Sequence, residues 1–249
     1  MRLSNKKIIV TGGGSGFGAA MSRLFCKEGA KVLVADLNGP AAQKVAAEIG
    51  PSALPFTVDV SSGPQVKAMV DKAVSAFGDL DAVVNNAGFT HKNMPCLEVD
   101  EATFDRVFAV NVKSIYWSAQ AAVPVFRQRG GGAFLNIASV AGIRPRPGLS
   151  WYNGSKGAAI TLTKTLAVEL APSKIRVNAL CPVMGVTGML EQFMGTKDTP
   201  ENRARFVSTI PMGRLAEPED IAKAAIYYVS DDSEFITGVC MPVDGGRVI

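Results

Sequence analysis

The chain has 249 residues, a formal net charge of +4 from 26 Lys and Arg against 22 Asp and Glu, and a composition that is 47% hydrophobic and 19% charged. That length buries a sizeable core without disulfides or metals. The scattered basic residues argue against nucleic acid as a partner, and no apolar run is long enough to span a bilayer. MRLSNKKIIV at the start lacks the apolar region and cleavage site of a signal peptide. The four cysteines (Cys26, Cys96, Cys181 and Cys240) lie far apart in apolar settings, with no metal or redox spacing. The expectation is a cytoplasmic enzyme with reduced, buried thiols and no metal.

In chain order, the first predicted strand is Lys7–Thr11, followed by a helix over Ala19–Glu28. Strands at Lys31–Asp36, Ala53–Val58 and Leu80–Asn85 alternate with helices at Pro40–Ile49 and Gln65–Phe77. A long helix over Glu101–Gln128 precedes the strand Gly132–Ala138. The helix Ser155–Leu170 then leads to the strand Ile175–Leu180, and Gly238–Val243 reads as the last strand. Most of these strands are rich in Val, Ile, Leu or Ala without polar alternation, as in strands covered on both faces. Strand–helix alternation implies an α/β fold with a parallel sheet. No linker or repeat divides the chain, so one domain over residues 1–249 is expected. The Gly-, Thr- and Met-rich stretch Val183–Pro200 reads as a flap or a pair of short helices beside a site, extending to about residue 210.

Two features of the first half point to a dinucleotide. IIVTGGGSGFGAA follows the first strand, with Gly12, Gly16 and Gly18 where a tight turn brings backbone to a pyrophosphate at a helix N-terminus. A strand-to-helix turn that merely needs glycines would look similar, and Gly14, Gly16 and Ala19 also fit an older fingerprint. The second strand, KVLVAD, ends in Asp36, 24 residues after Gly12. A carboxylate there can accept from both hydroxyls of an adenosine ribose and repels a 2′-phosphate. Neither Ser15 nor Leu37 offers a positive charge to such a phosphate. The predicted cofactor is therefore NAD rather than NADP.

Tyr152 and Lys156 lie four apart, so on a helix they share a face. A neighbouring ammonium favours the phenolate and is expected to lower the Tyr pKa from about 10. Such a phenol can exchange a proton with an alcohol while its carbon gives up hydride. Ser139 falls at the end of a strand, where its hydroxyl can hold the substrate oxygen.

Thr11–Gly18, NNAG at Asn85–Gly88, Asn111, Ser139 and Tyr152-x-x-x-Lys156, in this order and spacing, resemble the short-chain dehydrogenase/reductase family over nearly the whole chain, to the C-terminal VDGG. The resemblance implies a seven-stranded, doubly wound, Rossmann-like sheet with helices on both faces, and a homotetramer. It places Asp59 and Val60 near the adenine, and Asn86, Ala87 and Gly88 on the cofactor floor, with Ser15, Phe17 and Leu37 also at the cofactor. It makes Asn111 the anchor of a water that relays protons to Lys156, which would also hold the nicotinamide ribose. Pro182 and Thr187 match the family's cofactor contacts after the sixth strand. Val183 stands where the family carries Gly, putting a Gly-specific conformation there in doubt, with Gly185 read as supplying flexibility two residues on.

The loop between Ser139 and Tyr152 faces substrate in this family. Arg144 and Arg146 on it could pair with a carboxylate, sulfonate or phosphate, or point to water or a neighbouring subunit. Trp151 and His91 are further candidate substrate contacts, with Lys92 beside the latter. THKN, RPRPGLSWY and MLEQFMGTKDTPENRARF together are similar to bacterial hydroxymethyl-benzenesulfonate dehydrogenases. Oxidation of an alcohol with an anionic group is thus expected. A 3-oxoacyl-thioester reductase, a sugar or polyol dehydrogenase, and a non-catalytic NAD-binding scaffold or sensor are the alternatives.

Overall fold

The computed structural model describes residues 1–249. Seven strands form one parallel sheet: β1 (Lys7–Thr11), β2 (Lys31–Asp36), β3 (Ala53–Thr57), β4 (Ala82–Asn85), β5 (Gly132–Ile137), β6 (Ile175–Pro182) and β7 (Cys240–Val243). Their order is β3-β2-β1-β4-β5-β6-β7. The chain winds outward from β1 to β3, then returns to pair β4 on the other side of β1. Ligands of open α/β sheets bind above the strand ends where the order reverses in this way.

Successive residues of a strand face opposite sides, and the core divides accordingly. Ile8 and Val10 pack with Met21 and Phe25 of α1 (Gly16–Lys27), alongside α2 (Gly39–Ile49). Ile9 packs with Val66, Met69 and Val70 of α3 (Gly63–Phe77) on the other face. Strands buried on both sides explain the missing polar alternation. At the edge, β3 alternates burial and carries Pro55, which an edge strand tolerates.

Three stretches depart from the sequence-based expectation. The long helix divides into α4 (Glu101–Phe108), a π-turn over Ala109–Lys113, and α5 (Ser114–Arg129). No Gly or Pro marks that interruption; Asn111 within it makes the hydrogen bonds described below. The helix around the Tyr–Lys pair, α6, starts earlier than expected, at Ser150, and runs to Leu170. Residues 183–210 contain α7 (Leu190–Met194) and α8 (Pro200–Val207). A last helix, α9 (Pro218–Val229), was not among the predicted elements. Pro218 opens it and Glu217 and Asp220 form a capping box; Ile221, Ala222, Ala225 and Ile226 are buried. Of the cysteines, Cys181 is buried, Cys26 and Cys240 are half-buried and Cys96 is exposed, so burial does not extend to all four thiols.

Candidate active site

A cavity of about 620 Å³ lies over the C-terminal ends of β1 to β6, running from Asp36 at one end to Arg146 and Arg247 at the other. Gly12 and Gly16 adopt φ of +63° and +50°, which open the turn after β1. Gly18 does not line the cavity. A Cβ there would lie 2.0 Å from the Gly12 carbonyl oxygen, so this glycine lets α1 close onto the turn. Ser15 caps α1 without a side-chain hydrogen bond and no acid occupies the first turn. The first N–H groups of α1 are thus available to an anion at the positive end of the helix. A pyrophosphate fits this cradle by its charge and by the space that the glycines leave.

Asp36 reaches the cavity from the end of β2. Its Oδ2 accepts from the Gly14 N–H at 2.9 Å and its Oδ1 from the Asn38 N–H at 2.8 Å. Each oxygen keeps a lone pair, enough for two ribose hydroxyls. Ser15, Phe17, Leu37, Asp59, Val60, Ala87, Gly88, Pro182, Val183 and Thr187 also line this cavity, and Val58 joins them unpredicted. Asn86 lines it but spends its amide on the Thr11 and Gly12 carbonyls, at 2.8 and 3.2 Å, which ties the turn to β4.

At 183, where the family pattern has Gly, Val183 sits outside the positive-φ region and its N–H donates to the Val243 carbonyl. The backbone there needs no glycine. Gly185 leaves room for Phe17: a Cβ would stand 2.4 Å from the Phe17 ring, and its own φ is not positive.

Tyr152 lies in the first turn of α6 and Lys156 in the second, both buried. Lys156 Nζ donates to the Ile137 carbonyl at 2.8 Å and lies 5.8 Å from the centre of the Tyr152 ring. Burial brings the Lys156 ammonium down to about 8. The expected lowering of Tyr152 is reversed in the protein alone. Burial pushes its phenol up to about 12, and Ser139 and the Arg146 charge offset this only in part. Desolvation of the buried phenol outweighs the Ser139 hydrogen bond and the Arg146 charge. Ser139 follows β5; its Oγ accepts from the Ala141 N–H and lies 3.5 Å from the Pro182 carbonyl oxygen, a distance that ties its proton weakly.

Asn111 stands on the π-turn, outside the cavity lining. Its Oδ1 accepts from the Phe89 N–H and its Nδ2 donates to the Phe89 carbonyl and to Ser155 Oγ, all within 2.9 Å. Both amide protons are used on protein, and one lone pair of Oδ1 remains for a water. A Cβ on Gly88 would lie 3.6 Å from Asn111 Oδ1 and 3.7 Å from Lys156 Nζ, so the two groups border one small space.

The substrate candidates divide. Arg144 and Arg146 line the cavity; His91 and Trp151 do not. The Trp151 indole donates to the Cys96 carbonyl and packs edge-on against Phe104. His91 is buried with Nδ1 on the Lys92 carbonyl and Nε2 without a partner. Sequence reasoning missed Phe193 on α7, Phe206 and Arg205 on α8, Arg106 on α4 and Arg247 near the C-terminus, all of which line the cavity. They come from segments that only the fold assembles.

A family model described as enoyl-(acyl carrier protein) reductase matches residues 12–247. The chain is 54% identical to a 4-formylbenzenesulfonate dehydrogenase of Comamonas testosteroni, over 100% of both chains. It is 38% identical to a 2-(S)-hydroxypropyl-CoM dehydrogenase of Xanthobacter autotrophicus, over 98% of this chain and 97% of the relative. Among solved structures, it resembles a 3-ketoacyl-(acyl-carrier-protein) reductase from Brucella melitensis complexed with NADH. That match has a TM-score of 0.94 and 44% identity, covering 99% of this chain and 100% of the other.

Proposed function

Because the chain belongs to the short-chain dehydrogenase/reductase family, we propose that it interconverts an alcohol bearing a remote anionic group and the matching carbonyl compound, with NAD as the hydride carrier. The observation that carries this is one cavity with Tyr152, Ser139 and Lys156 at its centre and Arg146 at its far end. Ser139 Oγ holds the reacting oxygen. Tyr152 Oη takes the proton of that oxygen in oxidation and returns it in reduction. Lys156 fixes the phenol's surroundings and supports its negative charge. NAD, when bound, accepts the hydride from the carbinol carbon and brings a positive ring charge that draws the phenol back down. The C–H and O–H bonds thus break as the C=O bond forms. Asp36 supports NAD over NADP, as does the NADH held by the Brucella relative.

The names of two relatives, a sulfonate dehydrogenase and a CoM-conjugate dehydrogenase, support the anionic group. The test is NADH formation across a panel of alcohols with and without a distal sulfonate or carboxylate. Higher kcat/KM for the anionic members is expected. Equal response to neutral and anionic members overturns the anionic part, and NAD binding with no turnover anywhere points to a scaffold. Reduction of 3-oxoacyl thioesters is a second reading, favoured by the Brucella relative, and is measured by NADH consumption with such a thioester.

We also place the protein in the cytoplasm as a homotetramer of one-domain chains. Four free thiols support the first part. Wholly exposed Phe235 and largely exposed Val168, near the edge strand β7, support the second. A sedimenting mass four times that of the 26.2 kDa chain is expected.

A further inference from the structure

We propose that Arg146 and Arg247 together seat the anionic group of the substrate, which makes the last residues of the chain part of the active site. This rests on the anionic-substrate reading and adds which side chains recognise the charge.

The cavity is electrostatically divided. Its only acids are Asp36 and Asp59, at the adenosine end, and five arginines (Arg106, Arg144, Arg146, Arg205 and Arg247) line it toward the other. No carboxylate oxygen comes within 4.0 Å of Arg106, Arg144, Arg146 or Arg247. Three of the five are exposed, whereas Arg146 and Arg247 are half-buried. Arg106 stacks on Phe89, with its Cζ 4.5 Å from the ring centre. Arg205 faces Glu201 at 3.4 Å on the surface of α8. Arg144 is exposed and donates to the Arg247 carbonyl at 3.1 Å, so it positions the tail rather than meeting substrate.

Arg146 and Arg247 remain. Arg146 is half-buried, with one N–H on the Phe193 carbonyl at 2.5 Å and its Cζ 5.1 Å from the centre of the Phe206 ring. Burial, then the Arg247 charge, lowers its affinity for its proton, while the Tyr152 phenol opposes them. Both arginines line the same end of the cavity, within range of one another's charge and with no protein carboxylate paired to either.

The backbone of Arg247 is fixed. Asp244 Oδ1 accepts from the Gly246 N–H at 3.0 Å and Oδ2 from the Val248 N–H at 2.9 Å, folding the tail into a turn. Asp244 thus spends its carboxylate on the turn. The guanidinium of Arg247 makes no hydrogen bond within the chain. A like-charged pair on a fixed frame becomes favourable when one anion bridges it, and guanidinium forks suit sulfonate and carboxylate oxygens. Phe193 stands edge-on to Tyr152, with ring centres 5.1 Å apart, and with Phe206 gives the approach to the pair aromatic walls. The ligand class is an aromatic alcohol or aldehyde with a sulfonate or carboxylate opposite the reacting carbon.

The test compares 4-(hydroxymethyl)benzenesulfonate with 4-methylbenzyl alcohol in the wild type, Arg146→Met, Arg247→Met and Arg247→Lys. The readout is the ratio of the two kcat/KM values. Each Met variant is expected to lower the ratio about tenfold or more, through KM for the sulfonate, the scale of one lost charge-assisted hydrogen bond. Arg247→Lys keeps the charge and the stem, which guards against loss of the tail's fold, and should fall between. A wild-type ratio in the Arg247 variants overturns the pair and leaves the anionic-substrate reading standing. No preference in the wild type itself overturns both.

Discussion

Tyr152 and Lys156 are each held in the form that burial favours, and that has a measurable cost. Lys156 ionises near 8 when folded against 10.5 as a free side chain. Between those values the unfolded chain binds the extra proton, so stability rises with pH across that window. Tyr152 acts in the opposite sense, because its phenol stays protonated up to about 12 in the folded chain and stability falls above 10. Unfolding free energies measured from pH 7.5 to 10 should therefore rise more in the wild type than in Lys156→Met, by on the order of 2 kcal/mol. Parallel curves would show that Lys156 is not desolvated as described. Tyr152→Phe removes the proton donor and keeps the ring against Phe193. Turnover should fall by roughly 10²- to 10⁴-fold with NADH affinity retained, measured by single-turnover kinetics and fluorescence titration. The four-residue spacing of this pair became readable as chemistry only together with Ser139, Asn111 and the cofactor motifs, since the spacing alone also fits a solvated helix face. The Tyr152 ionisation was not readable, since enclosure is a property of the folded chain. For the same reason Trp151, next to Tyr152, and His91, shortly after the Asn86–Gly88 stretch, stay out of the cavity lining, while Arg247 enters it from the other end of the chain.

Elements decide where these residues stand. The strands were legible because covered parallel strands read as continuous apolar runs, and the glycine turn became legible as a cofactor turn once Asp36 at the end of β2 was read with it. The helix α9 also left signs in the sequence, Pro218 and a capping pair around an apolar repeat. By contrast, the π-turn at Asn111 accompanies hydrogen bonds to Phe89 and Ser155, distant in sequence, and no local residue announces it. The stretch after β6 gives a test at this scale. Val183 is 8% exposed on an ordinary backbone, whereas Gly185 abuts Phe17. Val183→Gly should cost on the order of 1–3 kcal/mol of stability from lost packing and added chain entropy, and leave NADH affinity unchanged. Gly185→Ala should instead push Phe17 toward the phosphate turn and weaken NADH several-fold. Thermal unfolding and NADH titration of the two variants separate these effects, and a weakened cofactor in Val183→Gly would place the requirement at 183 after all.

Across the whole molecule, the sheet sets two opposite fields in one cavity. Asp36 ends β2 and Asp59 follows β3, on one side of the β1–β4 crevice. The arginines come from the loop before α6, from α4 and α8, and from the tail beyond β7. The modest net charge of +4 conceals this division, because composition averages over the ends. A cavity end with several unpaired cations attracts an anionic substrate before contact, and added salt screens that attraction. Raising salt from about 20 mM to about 500 mM shortens the Debye length from roughly 20 Å to roughly 4 Å. The kcat/KM for a sulfonated or carboxylated alcohol should then fall several-fold, while that for its neutral counterpart holds nearly constant. Chloride could occupy the arginine pair directly, so the series is run in the wild type and in Arg247→Met. Loss in both proteins reports long-range screening, whereas loss in the wild type alone reports competition at the seat. An anionic substrate whose kcat/KM ignores salt in the wild type would mean that the five arginines do not form a common field at the mouth of the site.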